Sequence, residues 1–351
     1  MDRRNYLKSV GASLGFVGLA GCAGGNDNGE NGAQIAIVSS PAGFDDNAFN
    51  DNALLGLQEA DEEHGIEINT IEETEVANYE SVQSNLAEEG TNDLIVLVAS
   101  EHLSALEQNA ANHPDQNWML INEHVDEPNV SGWIEANHEM SFLGGVLAGT
   151  MTAEELEHEG GSTEPDEAHV GFVGGEDTNF INAYEQSFVE GAEWVDDDIE
   201  VSAGYGGSFS DTSAAADVAN SIYDGGADII YHAASAAGAG VFSAAQDQER
   251  FAVGVDSDQS ETESEYQDVI IGSAVKHLNE ATYEVAEAVV NDDFDSVAGD
   301  NELTTEDGGI DVVVGQAFEG ELPDVVDENI EQAKQEIIDG DVELTCGPTG
   351  C

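Results

Sequence analysis

From residue 34 onward, short apolar runs alternate with longer stretches in which apolar positions recur every three or four residues. The runs are Gln34 to Ser39, Ile66 to Ile71, Asp93 to Ala99, Trp118 to Asn122, Val130 to Ile134, His169 to Val173, Ile199 to Ala203, Asp228 to His232, Phe251 to Val255, Val269 to Ser273 and Gly309 to Val314. Their length and their content of Val, Ile and aromatics predict strands. Between them the spacing predicts helices over Asn52 to His64, Asn78 to Glu88, Leu103 to Asn112, Phe142 to Met151, Ile181 to Val195, Thr212 to Tyr223, Val241 to Asp247, Lys276 to Val290 and Pro323 to Ile338. Regular alternation of this kind implies parallel sheets covered by helices on both faces, an α/β fold. About ten strands exceed what one such sheet usually carries, so the chain divides into two lobes.

Where strand turns to helix, the residues change character. Gly43-Phe44-Asp45-Asp46-Asn47-Ala48-Phe49-Asn50 follows the run Ile35-Ala36-Ile37-Val38 and leads into the first helix. Open α/β sheets bind ligands at such strand ends. Phe49 offers a flat apolar face to a ring, and Asp46 and Asn50 offer an acceptor and a two-sided amide to its polar edge. The plainer reading is that Asp45, Asp46 and Asn50 are capping and turn residues. Three more strand ends share the plan: Gly171 to Ile181, which contains Phe180; Gly207-Ser208-Phe209-Ser210-Asp211; and Val253 to Gln259, which contains Asp256. A fourth, Ile270 to Lys276, ends on a lysine. Each has an ordinary alternative, with Asp256 a helix cap, Phe209 a core residue and Lys276 a surface solubiliser.

Composition weakens that alternative for Lys276. The chain carries 75 Asp and Glu against 6 Lys and Arg, a formal net charge of -69. Nucleic acid is excluded as a partner, because binding phosphates needs cations. In dilute buffer such self-repulsion strains a compact fold, whereas molar salt shortens the Debye length to about 3 Å and screens it. The acidity therefore reports on a very salty solvent and says little about the ligand.

The first residues carry an address. Arg3-Arg4-Asn5-Tyr6-Leu7-Lys8 resembles a twin-arginine export motif, Val10 to Gly21 is an apolar run too short to span a membrane comfortably, and Leu19-Ala20-Gly21-Cys22 resembles a lipoprotein signal-peptidase box. Residues 1–21 are then a removed signal peptide, Cys22 is the lipidated first residue, and residues 22–33 are a polar, glycine-rich tether. In the mature chain Arg250, Lys276 and Lys334 are the remaining basic residues. At the other end Cys346 and Cys351, in a Gly/Pro turn, could form a disulfide or remain thiols. No Walker loop, HExxH, GxSxG or CxxC occurs, no histidine pair has metal-ligand spacing, and no cofactor is expected.

Several blocks stand in an order that resembles a known family. Asp45-Asp46-Asn47-Ala48-Phe49-Asn50 with Gly56-Leu57, Phe142-Leu143-Gly144-Gly145 with Ala148-Gly149, Gly174-Gly175 through Phe188-Val189-Glu190-Gly191-Ala192, Gly254-Val255-Asp256-Ser257-Asp258-Gln259, and Ser273-Ala274-Val275-Lys276 are similar to the signature blocks of the basic membrane lipoprotein (BMP) family. These are PnrA-like, purine nucleoside substrate-binding proteins of ABC importers, and the charge suggests a halophilic archaeal type. The resemblance runs from about Gln34 to about Gly340. It implies a type I periplasmic-binding-protein fold, with two Rossmann-like lobes joined by a three-strand hinge. Residues 34–128 and 277–310 would form the N-terminal lobe, residues 129–276 and 311–342 the C-terminal lobe, and residues 343–351 a Cys-containing tail.

The resemblance also implies roles. Phe49 would stack on a nucleobase while Asp46 and Asn50 address its edge or the sugar; Asp256 and Lys276 would hold the ribose hydroxyls; Phe209 or Phe180 would form the opposite wall. Asn122 departs from the pattern, standing where many relatives have aspartate. The partners implied are a nucleoside, an ABC permease with its cytoplasmic ATPase, and the membrane through Cys22, with the protein itself a monomer outside the cell. Three other readings remain at this point: a protein of the same fold that binds a sugar or another small polar solute, a secreted hydrolase pairing Asp45 or Asp46 with Asp256, and a purely structural surface lipoprotein. The hydrolase has no visible nucleophile or activating base.

Overall fold

The computed structural model describes residues 32–351, so Arg3, Arg4, Cys22 and most of the tether lie outside the described residues. Among the described residues fourteen strands and ten α-helices follow in chain order. They are β1 (Gln34–Val38), α1 (Phe49–His64), β2 (Glu67–Ile71), α2 (Tyr79–Glu89), β3 (Leu94–Leu97), α3 (Leu103–Asn112), β4 (Asn117–Ile121), β5 (Val130–Glu135), α4 (Asn137–Thr152), the short pair β6 (Glu157–His158) and β7 (Gly161–Ser162), β8 (His169–Gly174), α5 (Asn179–Val195), β9 (Glu200–Tyr205), α6 (Thr212–Asp224), β10 (Ile229–Ala233), α7 (Ala239–Gln248), β11 (Phe251–Asp256), α8 (Gln259–Thr262), β12 (Ile270–Lys276), α9 (Leu278–Val290), β13 (Gly299–Leu303), β14 (Ile310–Val314) and α10 (Asp324–Asp339). No helix among the described residues is long and apolar enough to cross a membrane.

The strands form two large sheets, ordered β13-β5-β4-β3-β1-β2 and β14-β12-β11-β10-β8-β9. Pairing is parallel throughout except between β12 and β14. Each sheet is covered on both faces, which is why its strands read as unbroken apolar runs. In β1, Ile35 and Ile37 pack toward Leu57 of α1 and Val285 of α9, while Ala36 and Val38 pack with Leu86 of α2 and Leu106 of α3. The second sheet buries Phe172, Tyr231 and Phe251 with Phe142 of α4 and Phe188 of α5, and turns Ile230 and Ala252 toward Ala219 of α6 and Phe242 of α7. Two glycines permit close approaches between helices. A Cβ on Gly56 of α1 would stand 1.9 Å from the Asn279 carbonyl oxygen of α9, and one on Gly145 of α4 would stand 2.2 Å from that of Phe188.

The chain passes between the sheets three times, after β5, after β12 and between β13 and β14. The crossings are tied together: Ala136 N–H donates to the Leu303 carbonyl at 2.8 Å, and His277 N–H to that of Gly309 at 2.9 Å. This is the type I periplasmic-binding-protein architecture expected from the sequence. One expected boundary moves. Val130–Glu135, assigned above to the C-terminal lobe, is a strand of the first sheet, paired in parallel with β4 and β13 and anchored by the Ser131 hydroxyl on the Val297 carbonyl at 2.6 Å. The first crossing therefore comes after Glu135, and the last leaves the first sheet at Leu303. At the C-terminus Cys346 and Cys351 are joined by a disulfide, and the nearby Thr345 N–H donates to Glu190 of α5 at 3.2 Å.

Candidate functional site

Between the carboxyl ends of the two sheets lies a cleft of about 710 Å3, open space at its mouth included. Phe49, Ser100, Glu101 and Asn122 reach it from the first lobe, and Phe180, Tyr184, Phe209, Ser235 and Asp256 from the second. Lys276, at the second crossing, also lines it. Four of the strand-end residues around it hold left-handed backbones: Ala99 (φ 99°), Asn122 (φ 69°), Ser235 (φ 47°) and Asp256 (φ 69°). Non-glycine residues adopt this conformation at a cost of order 1–3 kcal/mol each, and such strain gathers at functional sites.

The aromatic walls come from both lobes. Phe49, the first residue of α1, lies under the Lys276 ammonium, with Nζ 4.5 Å from its ring centroid. Across the cleft stand Phe209 and Phe180, the latter set edge-on to Tyr184 one turn along α5 at 5.4 Å. Phe209 sits against Gly175, where a Cβ would come within 2.4 Å of its ring. Both candidates for the second wall are therefore present in it.

The polar end is built around Lys276. Its side chain is 2% exposed, its Nζ donates to Asn137 Oδ1 at 3.0 Å and stands 3.2 Å from Asp256 Oδ1. Asn137 Oδ1 also accepts from the Tyr184 hydroxyl at 2.7 Å, so the lysine is held from the hinge as well as from the second sheet. Asp256 is itself carried on a fixed loop. Gln259 Oε1 accepts the Val255 N–H at 2.8 Å and lies 2.8 Å from Nε2 of buried His232. The same oxygen must be acceptor to both, so Nε2 carries the hydrogen. Burial pushes His232 down to about 4 and keeps it neutral in that role. Burial also raises the Asp256 carboxyl above its ordinary range, an effect the Lys276 charge opposes.

Two lining atoms have capacity left over. Asp256 Oδ1 is buried and, although close to the ammonium, lies off the line a hydrogen bond needs; Asn122 Oδ1 is buried without a donor. Buried polar groups are ordinarily satisfied, so orphaned acceptors in a cleft ask for a ligand's O–H or N–H. Among the described residues no cluster of His, Cys, Asp and Glu could hold a metal ion.

Asp46 and Asn50 do not line the cleft; the structure uses them otherwise. Asp46 is 2% exposed, and its two oxygens accept from the N–H groups of Ala48, Asn50 and Asp51, the Asn50 amide and the Ser235 hydroxyl, all between 2.9 and 3.2 Å. Asn50 is fully buried, accepting from Ser40 N–H at 2.8 Å and donating to Ser40 Oγ at 2.9 Å. Their capacity is consumed in starting α1 and, through Ser235, in joining the two lobes. This corrects the expectation that they face a ligand. Sequence reasoning also missed Tyr184, Asn137, Ser235 and Glu101. Tyr184 carried a readable signal, four residues after Phe180 and so on the same helix face.

The family model of the PnrA-like ABC transporter substrate-binding proteins matches residues 33–343. The chain belongs to that family. It is 27% identical to the ABC transporter nucleoside-binding protein BmpA of Lactococcus lactis subsp. cremoris, over 97% of this chain and 99% of that one. It is 30% identical to basic membrane protein A2 of Borrelia garinii subsp. bavariensis over 66% of each. Among solved structures, a solute-binding protein of an ABC transporter system from Aeropyrum pernix K1 superposes with a TM-score of 0.77 at 23% identity, covering 89% of this chain and 92% of that one, a likeness of fold. The family is one of ABC transporter substrate-binding proteins, and the chain, as a member of it, is an extracytoplasmic binding protein and not an enzyme.

Proposed function

We propose that this BMP-family protein captures a purine nucleoside between its lobes and presents it to its permease, with no bond made or broken. The observation that carries the reading is the pairing of an aromatic slot with a buried ion pair that still has acceptor capacity. Phe49 and the Phe209–Phe180 wall suit the two faces of a base. Asp256 accepts from ribose hydroxyls and Lys276 donates to their oxygens, as charge-assisted bonds sheltered from solvent.

Asn122 reads the base edge. An amide can accept and donate at once, so it matches an edge with adjacent donor and acceptor, such as the amino group and N1 of adenine or the lactam of hypoxanthine. The lactococcal relative, by its name, binds nucleosides, which supports the ligand class. Arg3, Arg4 and Cys22 support twin-arginine export and a lipid anchor, and the net charge of -69 supports a working environment of molar salt. Mass spectrometry of the small molecule released from protein purified in molar salt tests the reading. A purine nucleoside is expected; a sugar would replace it, and free base with ribose after incubation with nucleoside would point to hydrolysis.

A further inference from the structure

Glu135 is the last residue of β5, at the point where the chain first leaves one lobe for the other. Its side chain is wholly buried, and neither carboxylate oxygen has a hydrogen-bond partner. The groups facing it come from each element around it. Lys276 at the end of β12 brings an ammonium, Asp256 at the end of β11 a second carboxylate, Asn137 at the start of α4 an amide and Tyr184 of α5 a phenol, while β13 places Leu303 beside it. One ammonium thus serves two buried carboxylates. It is already committed to Asp256 and Asn137.

An ionised Glu135 would leave this cluster with an uncompensated negative charge in a dry site, a costly arrangement. It would also compete with Asp256 for the ammonium. A protonated Glu135 makes the cluster neutral and leaves Lys276 where a ligand needs it. Asp256 lines the cleft, so a ligand seated there removes the contact it keeps with solvent, and the excess charge weighs most when the cleft is full.

We propose that Glu135 is a positioning acid of the nucleoside site, protonated when the cleft is occupied, so that ligand capture is coupled to uptake of a proton. The ligand in this statement rests on the nucleoside reading above. Burial pushes Glu135 up to about 7, and the Lys276 charge holds it from going higher, so the exchange falls near neutral pH. The sign follows from linkage. If occupancy raises the acid's pKa further, affinity is full at pH below the empty-site value and falls as pH rises above it, by at most about tenfold per pH unit.

The test is calorimetric titration with adenosine, which does not itself titrate in this range, in molar KCl from about pH 6 to about pH 9, in paired buffers of different protonation enthalpy. The parent should take up about one proton near neutrality and weaken as pH rises. Glu135→Gln, the same shape without a titratable proton, should bind at the high end of that range as the parent does at the low end, with no buffer dependence. Infrared difference spectra of parent against Glu135→Gln supply a ligand-independent readout, the carbonyl band of a protonated carboxylic acid at slightly acidic pH. A flat parent profile, a slope that survives in Glu135→Gln, or absence of that band would overturn the proposal. A parent that binds no nucleoside at any pH defeats the nucleoside reading and the coupling with it, while the band still decides whether Glu135 carries the proton.

Discussion

Two acidic residues follow apolar strands around this cleft, Asp46 behind its wall and Asp256 in it, and they differ in how much of their hydrogen bonding the protein itself consumes. Asp46 receives three backbone N–H groups, an amide and a hydroxyl. Asp256 has an ammonium 3.2 Å away, and one of its oxygens is buried without a donor. Both follow an apolar strand and both stand near a phenylalanine or a lysine of the site. The first is structural, and the second is left available. The difference teaches that an acid in a binding loop is assigned by its remaining capacity, which depends on what else the fold brings to it.

Lys276→Met should separate the two acids most strongly. It removes the donor and leaves Asp256 buried without its cation. Affinity should fall roughly tenfold to hundredfold, as for a lost hydrogen bond to a charged group. Stability should fall too, by about 3 kcal/mol or somewhat more, because breaking a buried pair strands one charge. Calorimetry and denaturant unfolding in molar salt read the two losses, and in Asp256→Asn, Lys276→Met the combined loss should be smaller than the sum of the single ones. Single losses that simply add would mean that the two residues do not act as a pair.

Asp46→Ala should behave in the reverse manner. Three backbone donors at the start of α1 lose their acceptor, which costs roughly 2 kcal/mol of stability. Affinity should change by only a few-fold, through the loop's position. An affinity loss as large as that of Lys276→Met with the unfolding midpoint unchanged would erase the distinction drawn here.

Ser235→Ala sharpens the comparison further, because it removes the one contact of Asp46 that comes from the other lobe. A single neutral hydroxyl is worth about 1 kcal/mol, so ligand release should quicken by about fivefold. Stopped-flow dissociation measures it. An unaltered rate would mean that the bond does not help to hold the lobes closed.

Much of the fold was legible because the helices and most strands bury continuous apolar faces. The expected strand Phe251 to Val255 is β11, one residue longer, and the expected helix Thr212 to Tyr223 is α6, again one residue longer. What could not be read was polar or non-local. Gly299-Asp300-Asn301-Glu302-Leu303 forms the edge strand β13 with alternating exposure, and it has no apolar run to announce it. The boundary after Glu135 depends on which sheet Val130–Glu135 joins, and strand pairing is invisible to periodicity. Glu135 itself reads as a polar strand end, and its burial follows only from three crossings meeting. For the site, Phe49, Asn122, Phe180, Phe209, Asp256 and Lys276 all reach the cleft. Asp46 and Asn50 carry equally suggestive side chains, yet their partners come from positions 40 to 51 and 235, and that count of donors exists only in three dimensions.

The central claim is that the unfilled acceptor beside Lys276, Asp256 Oδ1, holds a sugar hydroxyl. Calorimetry in molar salt with inosine and with its 2′,3′-dideoxy counterpart tests it directly, since the base is unchanged and the hydroxyls are gone. The account predicts that inosine binds and that the dideoxy nucleoside loses at least about tenfold in affinity. Equal binding of the two would contradict it, because Asp256 and Lys276 would then hold no part of the ligand that matters.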